Sequence, residues 1–290
     1  GFRPIEGGEE AALARRTLGD LLEAAERGGD LGLIAAVETL SRRLGEGGAE
    51  AYLMRCARDP EAMETLGVGV DAKVRRALAV PDGDIEAAIA QGCADTAFAV
   101  ETVRAVAAAN AAWGTATGRT AADRCAAFLA ADPAARAALL DDLALVVLTT
   151  KGEPRAVSAK LAALAPDYAD HAARLAEACA ALLDLRRRAE LARLLGAGLR
   201  AGQAFATAYA RAKRAAGVLD FDDLIRHAGR LLYMPGMGDW VRYKLDRATD
   251  HILVDEAQDT NARQWAIVRA LAAEFFVGEG AKSGVQRTLF

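Results

Sequence analysis

A mainly α-helical chain with one α/β element near its C-terminal end is predicted, and three observations predict it. Over roughly the first two-thirds, apolar residues recur at helical spacing between Gly and Asp-Pro punctuation. The composition changes after Gly217. Between His251 and Asn261 the apolar run Ile252-Leu253-Val254 leads straight into Asp255 and Glu256, and a helical pattern follows. Buried strands of parallel sheets read as such runs, and open α/β sheets place ligands beyond the carboxyl ends of their strands. Two adjacent acids at such an end point to metal and water chemistry.

In chain order, Leu18, Leu21, Leu22 and Ala25 define a helix ending at Gly28-Gly29, and Leu33, Val37, Leu40 and Leu44 define one ending at Gly45. Asp59-Pro60 and Asp132-Pro133 each read as an N-cap with proline at the first helical position, and Pro81-Asp82-Gly83 as a turn. Helical signal runs from about Ile85 to Trp113, and Thr115 to Thr120 reads as a small polar loop. A long Ala/Leu/Arg pattern covers about Asp167 to Ala216, with a break or bend expected near Gly196, Gly198 and Gly202. The chain has no fixed-period repeat, which disfavours a solenoid.

Beyond Gly217, Asp220 with Asp223 forms an acidic N-cap signature for a helix carrying Phe221, Leu224, Ile225 and Leu231. Met234 to Gly238 reads as a loop and is followed by a short helix with Trp240, Tyr243 and Leu245. After the strand, Trp265, Val268, Leu271, Ala272 and Phe275 form one apolar face of a helix from about Ala262 to Phe276. Gly278 to Gln286 is polar, and Arg287 to Phe290 reads as the start of another strand that stops without a partner. One strand and a stub do not make a parallel sheet, so the chain is expected to be a fragment of something longer.

At 290 residues, 53% hydrophobic and 26% charged, the chain is globular and long enough for one large domain or two ordinary ones. A formal charge of -4 and a pI near 5.6 exclude coating of nucleic acid through bulk charge but leave room for a local basic track. Cys56, Cys93, Cys125 and Cys179 are scattered, with no C-x-x-C pair, and read as small buried hydrophobes in a reducing compartment. Apolar runs such as Leu143 to Leu148 are too short to cross a bilayer, so no membrane contact and a cytoplasmic location are expected.

A strand, then Asp-Glu, then a helix is the arrangement of a Walker B element, in which the Asp serves Mg²⁺ and the Glu orients or deprotonates the attacking water. The alternative is that Asp255, Glu256 and Asp259 merely favour the N-terminus of the next helix, as in a non-enzymatic all-helical interaction module. A carboxylate-dependent nuclease is disfavoured, because no second acidic cluster accompanies the pair. No stretch fits the phosphate-cradling pattern G-x-x-x-x-G-K-[ST]. Gly280-Ala281-Lys282-Ser283 is the nearest echo, with Ala281 in place of the required glycine, and Gly196-Ala197-Gly198 lies inside a helical pattern.

The wording is more specific than the spacing. Val254-Asp255-Glu256-Ala257-Gln258-Asp259-Thr260 closely resembles the second motif of UvrD/Rep-type superfamily 1 DNA helicases, and Leu219-Asp220-Phe221-Asp222-Asp223-Leu224 resembles the stretch that precedes it. Within that family, Leu148 to Arg155, Val241 to Arg247 and the run through Phe275 and Phe276 to Gly280 resemble AddA, the helicase subunit of bacterial AddAB helicase-nucleases. The resemblance is strong from Leu148 onward and loose before it.

It implies a helical insertion domain joined to part of a RecA-like α/β P-loop NTPase core, with residues 1–218 the insertion and 219–290 the partial core. It implies Mg²⁺ and ATP as cofactors, single- and double-stranded DNA ends and an AddB-like subunit as partners, and a role in double-strand-break repair and recombination. By position, Asp255 would serve Mg²⁺ and Glu256 would be the general base beside the same ion. Gln258 would sense the γ-phosphate and couple it to DNA movement, and Asp259 would support that network. Thr149, Lys151 and Arg155 are weaker candidates for DNA contact, a plain polar connection being as good a reading. Without a phosphate loop the chain alone is expected not to turn over ATP.

Other features weigh less. Arg186-Arg187-Arg188 reads as a solvated helix face rather than a DNA contact. Trp113, Tyr168, Tyr209, Trp240 and Tyr243 read as core before base-stacking rings. His171, His227 and His251 have no metal-ligand company.

Overall fold

The computed structural model describes residues 1–273 and 288–289. The chain forms two compact units, Gly67–Arg200 and the combination of Gly1–Leu66 with Ala201–Phe290. Packing thus divides the chain at different places from the composition shift near residue 218.

The first segment opens with strand β1 (Arg3–Pro4), followed by helices α1 (Gly7–Gly28), α2 (Leu31–Ala57) and α3 (Pro60–Leu66). Gly29 ends α1 in the left-handed region, as the sequence predicts. Gly45 breaks the helical geometry inside α2 with φ of 72°. The predicted cap at Asp59 is present, its Oδ1 accepting the Ala62 N–H at 3.2 Å.

The Gly67–Arg200 unit holds α4 (Val70–Ala77), α5 (Ile85–Gly92), α6 (Val100–Trp113), α7 (Ala116–Ala130), α8 (Pro133–Val147), α9 (Ala159–Leu164) and the first part of α10 (Tyr168–Ala216). Two expectations are corrected here. The signal from Ile85 to Trp113 is two helices, because buried Arg136 from α8 donates to the Cys93 carbonyl at 3.0 Å and to Asp95 Oδ1 at 2.5 Å, holding the turn that ends α5. Thr115 to Thr120 is not a loop: Thr115 caps α7, its Oγ1 accepting the Gly118 N–H at 3.0 Å. The core of this unit centres on Ile89, Val103, Val106, Phe128, Leu140 and Leu175, and Cys93, Cys125 and Cys179 are buried in it. Burial pushes the Cys125 thiol up to about 11 and the Cys179 thiol up to about 12, as expected of structural rather than reactive cysteines.

Helix α10 runs 49 residues without the predicted break. Its glycines serve close packing instead. A Cβ at Gly196 would collide with the Asp71 carboxylate, and one at Gly202 would lie 2.6 Å from Cys56 Sγ. Tertiary contact therefore outweighs the modest helix propensity penalty of glycine.

In the other unit, β2 (Val218–Leu219) pairs in parallel with β1, Arg3 opposite Val218 and Pro4 opposite Leu219. Helices α11 (Phe221–Tyr233) and α12 (Met237–Asp246), strand β3 (His251–Ile252), a 3₁₀ turn at Ala257–Asp259, α13 (Ala262–Ala272) and β4 (Thr288–Leu289) follow. The rings of Phe205 and Tyr209 stack at 5.7 Å in its core, and Leu53 and Val218 are buried in the same unit. Phe275, Phe276, Gly278 to Gln286 with the Gly280-Ala281-Lys282-Ser283 echo, Arg287 and Phe290 lie outside the described residues.

Candidate functional site

The sequence predicts a buried strand over the apolar run at 252–254. Only His251 and Ile252 form one, pairing in parallel with Thr288 and Leu289, so the expectation of a partnerless end strand is also corrected. Leu253 is 79% exposed. Among the described residues β4 is the only strand beside β3, and a side chain is buried in a sheet only where neighbouring elements cover it.

Past the strand the backbone folds into a tight acidic turn. Asp255 Oδ1 accepts the Glu256 N–H at 2.9 Å, and Glu256 stands in the left-handed region, φ 50° and ψ 46°. Non-glycine residues reach that region rarely, and they do so mostly at tight turns and functional sites. The Glu256 carbonyl accepts the Asp259 N–H at 2.9 Å, closing the 3₁₀ turn, and Gln258 Nε2 donates to Glu256 Oε2. Asp255, Glu256, Gln258 and Asp259 are all exposed.

The helix that follows does not use these acids as its cap. Asn261 Oδ1 accepts the N–H groups of Arg263 and Gln264, each at 3.0 Å, and Gln264 Oε1 accepts the Asn261 N–H at 2.8 Å. This capping box satisfies the amides of Asn261, Arg263 and Gln264 at the start of α13. The carboxylates of the acidic turn therefore do no capping for α13, and among the described residues Asp255 and Glu256 hold only the turn's own hydrogen bonds.

Hard carboxylate oxygens suit Mg²⁺, which takes one or two carboxylates and completes its shell with water and phosphate oxygens. Asp255 and Glu256 fit such a donor set. Among the described residues no group of three or more His, Cys, Asp or Glu side chains forms a protein-only metal site.

The Thr149 to Arg155 segment lies in the Gly67–Arg200 unit and is a closed turn. Thr149 accepts the Gly152 N–H through its carbonyl at 2.9 Å and donates its own N–H to the Glu153 carbonyl at 2.7 Å, while its Oγ1 accepts from Lys151 and Glu153. Arg155 Nε donates to the Leu148 carbonyl at 2.9 Å, and Lys151 is exposed at the tip. Of the three, Lys151 and the terminal amino groups of Arg155 are available for an outside contact.

Sequence reasoning missed a buried charge cluster at the start of α11. Lys213 Nζ lies 2.5 Å from Asp220 Oδ2 and 2.6 Å from Asp223 Oδ2, and 4.8 Å from the centre of the Tyr209 ring. Arg226 pairs with Asp223 and lies 3.4 Å from Glu61. The reciprocal cap between Asp220 and Asp223 is legible in the sequence; the lysine seven positions earlier is not, because its meeting with them needs the turn through β2. Arg186 and Arg188 are engaged within the fold, with Glu86 and Asp141 and with the Leu78 and Ala79 carbonyls, while Arg187 is exposed. Tyr168 and Tyr209 are core, and Trp240 and Tyr243 are more than half exposed. His251 Nδ1 meets Thr288 Oγ1 at 2.7 Å. No helix among the described residues is long and apolar enough to cross a membrane.

Residues 139–279 match the family model of the UvrD/REP helicase N-terminal domain. Over 76 residues, 26% of this chain, the sequence is 43% identical to the ATP-dependent DNA helicase UvrD1 of Mycobacterium leprae (strain TN). Over 78 residues, 27% of the chain, it is 41% identical to the ATP-dependent DNA helicase UvrD1 of Mycobacterium tuberculosis (strain ATCC 25618 / H37Rv). Each matched stretch covers 9% of the relative's length. The chain is mainly helical and contains part of a UvrD-type helicase domain.

Proposed function

We propose that this chain, with its part of a UvrD/REP helicase N-terminal domain, supplies the Mg²⁺ and water carboxylates of an ATP-driven DNA helicase. The observation that carries the reading is the division of labour around α13. Asn261 and Gln264 do the capping, so Asp255, Glu256 and Asp259 stand exposed at the end of β3, and among the described residues Asp255 and Glu256 are bonded only within their own turn.

In this reading Asp255 would hold Mg²⁺ with help from Glu256, and the Glu256 carboxylate would take a proton from the attacking water. The ion supplies charge neutralisation on the phosphate oxygens. Gln258, already hydrogen-bonded to Glu256, orients that carboxylate and reads the γ-phosphate, and Asp259 supports the turn. Thr149, Lys151 and Arg155 contact DNA. The parent is of the AddA type, acts on single- and double-stranded DNA ends in double-strand-break repair and recombination, and pairs with an AddB-like subunit. Residues 1–218 hold the helical insertion and 219–290 part of the RecA-like core. The compact helical Gly67–Arg200 unit, which lies inside residues 1–218, supports an insertion in that part of the chain.

No stretch of the 290 residues fits a phosphate loop, so the chain by itself does not hydrolyse ATP. The test is to join it to a segment carrying that loop and measure DNA-stimulated ATPase. Glu256→Gln is expected to lower the rate on the order of 10²-fold or more, as loss of a general base does. A rate indifferent to Glu256 overturns the assignment.

A further inference from the structure

Within the Gly67–Arg200 unit, a cavity of about 450 Å³ opens where α6, α7 and the chain after α8 meet. That volume is in the range of ligand clefts. Two arginines, Arg124 and Arg155, line it, and no Asp or Glu does, although acids outnumber bases in the chain as a whole. Arg124 is only loosely paired, 3.8 Å from Asp142, and Arg155 keeps both terminal amino groups free after Nε donates to Leu148. Half-buried Trp113 forms an aromatic wall.

Two buried polar side chains also line the cavity. Asn110 is 3% exposed and Tyr168 is 7% exposed. The Asn110 amide nitrogen donates to the Val106 carbonyl at 2.9 Å and to the Tyr168 hydroxyl at 3.1 Å. The Asn110 carbonyl oxygen and the Tyr168 O–H are left as one acceptor and one donor without a protein partner among the described residues. Both side chains line the cavity, where these atoms can take partners from a ligand, and the edge of a nucleobase presents the complementary pair.

We infer that this cavity binds a nucleotide unit ending in a phosphomonoester, with the base against Trp113 and the Asn110–Tyr168 pair and the phosphate between Arg124 and Arg155. Two guanidiniums match the charge of about -1.5 to -2 on a terminal phosphate better than the single charge of a phosphodiester. With no lining carboxylate to share Mg²⁺, the site suits a monophosphate rather than a metal-bound triphosphate, so it is separate from the chemistry at Asp255 and does not rest on it. The phosphomonoester has two sources, a free nucleotide or the phosphorylated end of a DNA strand.

The test is calorimetric titration of the 290-residue chain in EDTA, which silences any Mg²⁺-dependent binding at the acidic turn. The ligands are thymidine, inorganic phosphate, thymidine 5′-monophosphate, and an oligothymidylate with and without a 5′-phosphate. The monophosphate, or the phosphorylated strand, is expected to bind about tenfold or more tightly than thymidine, phosphate or the unphosphorylated strand. Arg124→Ala and Arg155→Ala are each expected to weaken it about tenfold, with thermal unfolding unchanged in Arg124→Ala and lowered slightly in Arg155→Ala, which also loses the bond to the Leu148 carbonyl. Trp113→Phe is expected to keep a ring and most of the affinity, and Trp113→Leu to reduce the preference for the nucleotide over phosphate. Binding of the phosphorylated strand alone identifies the strand end, and binding of the mononucleotide alone identifies the free nucleotide. The inference is overturned if neither binds, if phosphate alone binds as well, or if both arginine variants bind like the parent.

Discussion

Asp220 to Asp223 and Asp255 to Asp259 are both acidic turns that lead into helices of the same unit, and their fates are opposite. In the first, two carboxylates are buried, cap α11 reciprocally and surround Lys213. In the second, the acids are exposed, hold only each other's turn, and leave the capping of α13 to Asn261 and Gln264. A buried carboxylate must find a protein cation, since its desolvation is otherwise unrecovered. An exposed one can keep its oxygens for something the protein does not contain. The first turn is therefore read as architecture and the second as chemistry.

The sharpest way to break this contrast is at Lys213. Lys213→Met leaves Asp220 and Asp223 buried without their ammonium and is expected to cost about 3–5 kcal/mol in denaturant unfolding. Asp220→Asn keeps an oxygen to cap α11 but removes one partner of Lys213, and is expected to cost about 1–3 kcal/mol in the same measurement.

A smaller effect is expected from pH. Burial works to raise the Asp223 carboxyl, but the Lys213 hydrogen bond and charge, the Arg226 charge and the Asp220 amide outweigh it and hold the group below its ordinary value. Its contribution is then complete above about pH 4, near the unfolded pKa, and is lost as pH falls through the lower folded value. Unfolding midpoints followed down from about pH 6 should drop in that window, and the drop should be shallower in Asp223→Asn.

The smallest effect sharpens the other side. Asp255→Asn and Glu256→Gln should each leave unfolding free energy within about 0.5 kcal/mol of the parent, as surface substitutions do. A loss comparable with that at Lys213 would show that the exposed turn is structural after all.

Local signals were legible where one short segment determines the outcome. The Asp59 and Asp132 caps, the left-handed Gly29 and the apolar spacing of α1 and α2 depend on neighbours within a turn or two, and all are present. The misses share a cause. The break before α6 depends on Arg136, 43 residues from Cys93 along the chain, and the close approaches at Gly196 and Gly202 of α10 depend on Asp71 and Cys56. The strand after Asp250 was overextended because apolar composition reports what could be buried, not what covers it. Leu253 has little to cover it.

By itself the sequence determined the helical character of the chain, the two acidic turns and the likeness of Val254 to Thr260 to a helicase motif, because periodicity, capping chemistry and short motifs are written in adjacent residues. Tertiary structure alone decided which acidic turn is consumed by the fold. The two turns look alike in one dimension, and it is the approach of Lys213 and Arg226 to the first, and the exposure of the second, that separates a buried ion cluster from solvent-facing carboxylates.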